Sequence, residues 1–261
     1  MNIDLTEKMV FLTGASQGIG HATLIKLLES GARVLATDKH HSTLLENTYA
    51  LKEKYQQTLI LEKLDLADFQ NIQISIPKWA KQYGDIDHFV HCAGILHLTP
   101  LLTATTESLT DTFNVNVLGA TLLLQELGKM MKKRSQGNIV VVGSNAANTP
   151  RANMGSYAAS KAALHMMVKC LGMELAPWGI RCNIVSPGST RTAMQMQLWN
   201  ESYGEQDVID GNSTQFRLGI PLGKIAEPND IAESILFLMS DAANHITLHD
   251  LRVDGGATLD N

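Results

Sequence analysis

Short runs of apolar, β-rich residues alternate along this chain with longer stretches whose hydrophobic positions recur at helical spacing. Met9 to Thr13 (MVFLT) is continuous and apolar, as in a strand buried on both faces. Behind it, Ile19, Leu24, Leu27 and Leu28 mark one face of a helix that closes at Gly31. The run ARVLAT predicts a second strand with Asp38 at its end, then a helix near Ser42–Tyr55 and a third strand, TLILEKLD. The next helix, Ala67–Tyr83, contains Pro77, whose missing amide donor predicts a kink or an end there. Strand IDHFVHCAG, one long helical region over Leu109–Lys133, strand GNIVVVGS, a helix carrying Tyr157, strand IRCNIVS and a last strand in DLRVDGG complete the series. No linker or low-complexity segment interrupts it. Such alternation predicts an α/β fold: a single domain built on a doubly wound parallel sheet with helices on both faces. Ligands in these sheets bind at the carboxyl ends of the strands. Gly14, Asp38, Asp65, Gly94, Ser144 and Pro187 all fall at such ends.

Between the first strand and the first helix stand Gly14, Gly18 and Gly20, spaced G-x-x-x-G-x-G. Glycines belong where a backbone must turn sharply, approach a phosphate, and let a helix sit close to a strand. The helix N-terminus that follows offers free N–H groups and a positive dipole end to a pyrophosphate. Asp38, eighteen residues after Gly20, is placed to accept the adenosine ribose hydroxyls and to repel a 2′-phosphate. Lys39 beside it would favour that phosphate, whereas Ser16 and Gln17 in the glycine loop are not basic. The pattern predicts NAD as cofactor rather than NADP.

Tyr157 and Lys161 are four residues apart in SYAASKAAL, so one helical turn sets the phenol and the ammonium on one face. A free tyrosine has a pKa of about 10 and is a poor base near neutrality. A neighbouring cation favours its phenolate and makes it a usable proton acceptor. Ser144, thirteen residues upstream at the tip of NIVVVGS, is placed to hold the reacting hydroxyl or carbonyl. Alone, Y-x-x-x-K occurs by chance and describes any tyrosine packed beside a solvated lysine. The preceding strand and the dinucleotide fingerprint make the catalytic reading the stronger one.

Composition narrows the partners. The 261 residues carry a formal net charge of −5 and show no basic stripe, which argues against nucleic acid. Cys92, Cys170 and Cys182 are scattered and odd in number, so they read as buried thiols of a reducing, cytoplasmic compartment. The start, MNIDLTEK, has no apolar segment of a signal peptide, and no stretch reaches transmembrane length. His88 and His91 lie three apart on a strand and therefore face opposite sides, so no metal site is expected there.

TGASQGIG, NVNVLG, Ser144 with YAASK, and SPGST together resemble the short-chain dehydrogenase/reductase family over nearly the whole chain. The resemblance implies a single Rossmann-like domain, a nicotinamide cofactor, a Ser144–Tyr157–Lys161 centre, and a homotetramer of dihedral symmetry. It further implies that Asn116 holds a water linking Lys161 to solvent and that Asp65 contacts the adenine, although Asp65 is equally suited to cap the next helix. The implied cofactor contacts extend over Gly14, Ser16, Gln17, Gly18, Ile19 and Gly20, then Leu66, Ala93 and Gly94, and finally Pro187, Gly188 and Thr190. Where the family shows Asn-Asn-Ala-Gly, this chain has His91-Cys92-Ala93-Gly94, which puts the asparagine's pinning of neighbouring strands in doubt.

A narrower resemblance, carried by AANTPRANMGSYAASKAAL, VSPGSTRTAMQMQLW and FRLGIPLGKIAEPNDIAESILFLMSDAANHITLHDLRVDGG, is to family members that make the catechol acid of bacterial siderophores. It implies a small carboxylated cyclohexadiene trans-diol as substrate, an aromatic-acid precursor oxidised with NAD. An anionic substrate in an acidic protein needs a local cation. Arg151, between Ser144 and Tyr157, is the first candidate and Arg191 the second. The related enzymes tend to carry an acid where Arg191 stands. The segment 192–216, with Met194, Met196, Leu198 and Trp199, is expected to form a lid, and Met194 to touch substrate. Two other readings stand beside this one: a ketoacyl-carrier-protein reductase running on NADPH, and a homologue that binds nucleotide without turnover.

Overall fold

In the computed structural model, residues 3–259 are described, so Met1 and Asn2 of the N-terminal reading lie outside them. Seven strands form one parallel sheet: β1 (Met9–Thr13), β2 (Arg33–Asp38), β3 (Leu59–Lys63), β4 (His88–His91), β5 (Asn138–Val142), β6 (Arg181–Pro187) and β7 (Asp250–Val253). Their spatial order is 3-2-1-4-5-6-7. The order reverses between β1 and β4, whose paired residues run from Val10–His88 to Thr13–His91. A crevice opens at such a reversal, beyond the carboxyl ends of the two strands.

Among the described residues the ten α-helices are α1 (Gly18–Glu29), α2 (His41–Asn47), α3 (Tyr49–Lys54), α4 (Phe69–Tyr83), α5 (Thr106–Phe113), α6 (Ala120–Arg134), α7 (Gly155–Leu175), α8 (Ala193–Met196), α9 (Glu205–Asp210) and α10 (Pro228–Met239). Period-two alternation along the strands sends side chains to two cores. Phe11, Phe89, Ile139 and Ile184 pack with Ile72 and Ile76 of α4, Leu123 and Leu127 of α6, and Leu164 of α7. Val10, Leu12, Val90 and Val140 pack on the opposite face with Leu24 and Leu27 of α1, Leu44 of α2, and Ile231 and Ile235 of α10.

Four local expectations change. Helix α4 runs through Pro77 without a break. The proline is exposed while Ile72, Ile76 and Trp79 are buried. Three buried side chains, each worth about 1.5–3 kcal/mol, outweigh a mid-helix proline that costs about 3 kcal/mol. The expected helix 42–55 is two helices, α2 and α3, meeting at Thr48. The long helix 109–133 is interrupted by a π-helical stretch, Asn114–Gly119, between α5 and α6. Cys170 is exposed, unlike Cys92 and Cys182.

The His91 substitution is absorbed within the sheet. Its Nδ1 lies 2.8 Å from Thr13 Oγ1, bridging β4 to β1, and the Ala93 N–H donates to the same hydroxyl at 3.4 Å. A histidine therefore links the two strands that flank the crevice.

Candidate active site

Above the β1–β4 reversal lies a cavity of about 660 Å³. Its floor is the glycine loop. Gly14 has φ +71°, and a Cβ there would sit 2.7 Å from the Ala93 nitrogen. A Cβ at Gly20 would fall 1.9 Å from the Gly14 carbonyl oxygen. Only glycine allows the loop, the β4 end and α1 to approach this closely. Gln17 precedes α1 without a side-chain cap, leaving the first N–H groups of the helix directed at the cavity. This cradle suits a pyrophosphate.

Asp38 ends β2 and lines the cavity. Its two carboxylate oxygens accept from the Ser16 N–H at 3.2 Å and the His40 N–H at 2.9 Å, which fixes their direction. Lys39 also lines the cavity, but its ammonium lies 3.4 Å from Asp65 Oδ2. Asp65 Oδ1 accepts the Ala67 N–H. The cap of α4 is Asp68, which accepts the Asn71 N–H, so Asp65 stays at the cavity wall with Leu66. Ile19, Gly94, Pro187, Gly188 and Thr190 also line the cavity.

Ser144, Tyr157 and Lys161 line the same cavity. The strand β5 delivers Ser144, and α7 presents Tyr157 and Lys161 one turn apart, all buried. Lys161 Nζ donates to the Val142 carbonyl at 2.9 Å and lies 5.8 Å from the centre of the Tyr157 ring. Burial raises the Tyr157 phenol above its ordinary value, and the Ser144 hydroxyl beside it works in the opposite direction. The expectation that the neighbouring cation favours the phenolate is thus met by a larger opposing desolvation. Burial also pulls the Lys161 ammonium down to about 8. Asn116, within the π-helical stretch, donates to the Ile95 carbonyl at 2.9 Å and to Ser160 Oγ at 3.0 Å, and accepts the Ile95 N–H at 2.8 Å. Both amide hydrogens are engaged, so its side chain fastens the β4–α5 loop to α7.

Arg151 and Met194 line the cavity. Arg191 does not: it lies outside this cavity, with its fork on Glu205 at 2.6 and 2.8 Å and its Nε on Glu227 at 2.8 Å. Two carboxylates engage the guanidinium, so Arg191 fastens α9 to the start of α10. This corrects its reading as a substrate cation. Arg217 is a cavity residue that the sequence reading passed over. Its Nη1 donates to the Tyr203 hydroxyl at 2.8 Å, and its charge adds to burial in lowering the Arg151 pKa. Two guanidinium groups therefore share one end of the cavity. The signal was available in FRLGIP, a basic residue within an apolar run, but nothing in spacing aims it. Of the segment's apolar residues, Met194 and Leu198 face the cavity, Met196 is exposed, and Trp199 packs with Val208 and Ile220.

A family model described as enoyl-(acyl carrier protein) reductase matches residues 14–258. A vibriobactin-specific 2,3-dihydro-2,3-dihydroxybenzoate dehydrogenase from Vibrio cholerae is 56% identical over 100% of this chain and 99% of its own. This chain belongs to the short-chain dehydrogenase/reductase family. A 2,3-dihydro-2,3-dihydroxybenzoate dehydrogenase from Bacillus subtilis is 44% identical over 97% of this chain and 96% of its own. Among solved structures, levodione reductase superposes with a TM-score of 0.89 at 25% identity, covering 98% of this chain and 99% of that one. Enzymes of the short-chain dehydrogenase/reductase family use a nicotinamide cofactor. Among the described residues no helix is long and apolar enough to cross a membrane.

Proposed function

We infer that this chain oxidises 2,3-dihydro-2,3-dihydroxybenzoate to 2,3-dihydroxybenzoate with NAD, providing a catechol acid for siderophore synthesis. The observation that carries the reading is one cavity holding a Ser144–Tyr157–Lys161 centre at one place and two guanidinium groups, Arg151 and Arg217, at another. Full-length similarity to dehydrogenases of that name supports the same substrate. Gly14, Gly18, Gly20, the start of α1 and Asp38 would hold the cofactor, which when bound supplies the hydride acceptor and a positive ring. Tyr157, as phenolate, takes the proton of the ring hydroxyl at position 3 as the carbon beneath it gives up hydride. Ser144 orients that hydroxyl, and the Lys161 charge favours the phenolate. The ketone formed tautomerises to a catechol, and aromaticity makes the oxidation strongly downhill. Arg151 grips the substrate carboxylate, with Arg217 adding to the field. The segment 192–216 acts as a lid that keeps water from the reacting atoms.

Asp38 supports NAD over NADP, because its carboxylate stands where a 2′-phosphate would need a cation, and Lys39 already faces Asp65. A ketoacyl-carrier-protein reductase running on NADPH would need the reverse. The test is incubation with the dihydrodiol acid and either NAD or NADP, followed by catechol formation. NAD should be preferred, and Asp38→Ala should shift the preference towards NADP. No catechol with either cofactor would refute the substrate assignment, and an unmoved preference would remove Asp38 from the ribose.

A further inference from the structure

Behind Ser144 lies a buried polar chain that the hydride transfer leaves unused. The Ser144 N–H donates to His165 Nε2 at 3.3 Å. The other ring nitrogen, Nδ1, is 3.2 Å from Asp250 Oδ2, and the Ser186 hydroxyl donates to Asp250 Oδ1. The His165 and Asp250 side chains are only 5% and 10% exposed. Four separate elements meet here: the end of β5, α7, β6 and β7. Glycine at position 143 is part of the arrangement, since a Cβ there would lie 2.0 Å from His165 Nε2. The ring thus presses on the backbone immediately before Ser144.

The Ser144 hydrogen bond on one side of the ring and the Asp250 carboxylate on the other dictate the protonation pattern. A nitrogen that accepts the Ser144 N–H carries no proton, so the neutral ring is protonated at Nδ1, towards Asp250. Burial alone would raise the Asp250 carboxyl, but the His165 ring beside it and the hydrogen bond from Ser186 hold it below its ordinary value. Asp250 is then the anion that fixes the tautomer. Ser144 lies beyond the paired part of β5, with φ −168° and ψ 147°. Without His165 its buried N–H would lose this partner, and the residue would be free to rotate towards another. The Ser144 hydroxyl is held from its own side by the Ala146 N–H at 3.1 Å. Backbone and side chain of the serine are therefore fixed independently.

We propose that the Asp250–His165 pair is a positioning device, holding the Ser144 backbone amide so that the serine hydroxyl meets the substrate hydroxyl and Tyr157. The proposal rests on the Ser144–Tyr157–Lys161 reading given above. Neither residue lines the cavity, and both act through Ser144. A displacement of about 1 Å at a catalytic group costs up to about 10²-fold in rate.

The experiment is a double-mutant cycle on the full-length protein, with turnover, Michaelis constants and NAD affinity measured for each variant. His165→Phe keeps a ring and removes the acceptor. It should lower kcat by about 10–100-fold with NAD affinity unchanged. His165→Gln, which can present a carbonyl oxygen to the Ser144 N–H, should recover part of the loss. Asp250→Asn, which removes the anion that selects the tautomer, should fall between wild type and His165→Phe, and it carries the same comparison should the Phe variant fail to fold. In a Ser144→Ala background the same changes should cost less than about 3-fold, because the group they position is gone. Equal losses in both backgrounds, or wild-type kcat in both His165→Phe and Asp250→Asn, would overturn the positioning role and leave the catalytic reading intact. Full turnover in Ser144→Ala alone would instead overturn the catalytic reading, and this proposal with it.

Discussion

Tyr157 is a phenol whose surroundings pull in two directions. Burial favours the neutral form and the Ser144 hydroxyl favours the phenolate, the direction in which a neighbouring cation such as Lys161 also acts. Unit charges separated by the 5.8 Å between Lys161 Nζ and the ring centre attract by on the order of 3 kcal/mol at an effective dielectric constant of about 20. That equals about two powers of ten in phenolate population. Desolvation remains the larger effect, and the tyrosine depends on Lys161 keeping its own proton, whose pKa burial has brought to about 8. Tyr157→Phe deletes only the acceptor oxygen. Turnover should fall by at least about 10²–10⁴-fold while NAD binding, measured by fluorescence titration, stays near wild type. A Phe variant with wild-type turnover would remove Tyr157 from the proton transfer. At this scale the sequence was informative wherever chemistry demands a residue type at a spacing, as with Tyr157, Lys161 and the glycines. It was silent on His165, because a histidine four residues after the lysine has no meaning until Asp250 and Ser144 are brought beside it from other strands.

Elements carry the next lesson. Asp38 was placed correctly because an apolar run with a polar end defines a strand terminus from local pattern alone. Pro77 and the π-helical stretch at Asn114–Gly119 were misread because tertiary burial, not local propensity, decides them. Gly119 shows the cause: a Cβ there would lie 2.1 Å from the Leu66 carbonyl oxygen, so the helix is shaped to fit the β3–α4 turn. Arg151 and Arg191 differ for the same reason, since sequence gives a cation but not its partners. Arg151→Gln should raise the Michaelis constant for the dihydrodiol acid more than for a neutral cyclic alcohol, and Arg151→Lys should recover only part of the loss. Arg191→Gln frees α9 from its Glu205 bridge and should affect charged and neutral substrates alike. If Arg151→Gln also fails to discriminate, Arg151 supports the loop and the carboxylate is held elsewhere, with Arg217 next to test. Strand pairing offers a measurement of its own. Burial lowers His91 to about 3 and His88 to about 4, from an ordinary 6.5. The unfolded chain therefore binds more protons between these values. Stability from keeping both rings neutral is fully present above pH of about 6.5 and is lost as pH falls towards the folded values. His91→Asn should flatten that loss by up to about 1.4 kcal/mol per pH unit, read from denaturation midpoints. An unchanged slope would mean that His91 is not held neutral in the folded protein.

For the whole molecule, the outer surface of α7 poses the remaining question. Met166, Met167 and Met173 are 61%, 44% and 68% exposed, and Cys170 lies exposed among them. Residues 166, 170 and 173 recur at helical spacing, so they form a soft apolar stripe along the side of α7 away from the core. Leu118, in the π-helical stretch just before α6, is 46% exposed. Tyr157, Lys161 and Leu164 of the same helix are buried, so α7 is apolar on two sides. A helix of that kind gains when its outer side is covered, and a second copy of this chain supplies the same stripe in a two-fold pairing. Because α7 also carries Tyr157, Lys161 and His165, pairing along it would stiffen the wall that positions the proton acceptor. We therefore expect a homotetramer in which α6 and α7 of each subunit meet their symmetry mates. Sedimentation at micromolar concentration should give about four times the monomer mass of 28.5 kDa. Met166→Glu combined with Met173→Glu should split the assembly by placing like charges across the two-fold, with a loss of turnover that tracks the loss of tetramer. A monomeric wild-type protein, or a double variant that sediments unchanged, would show that the stripe is not the contact.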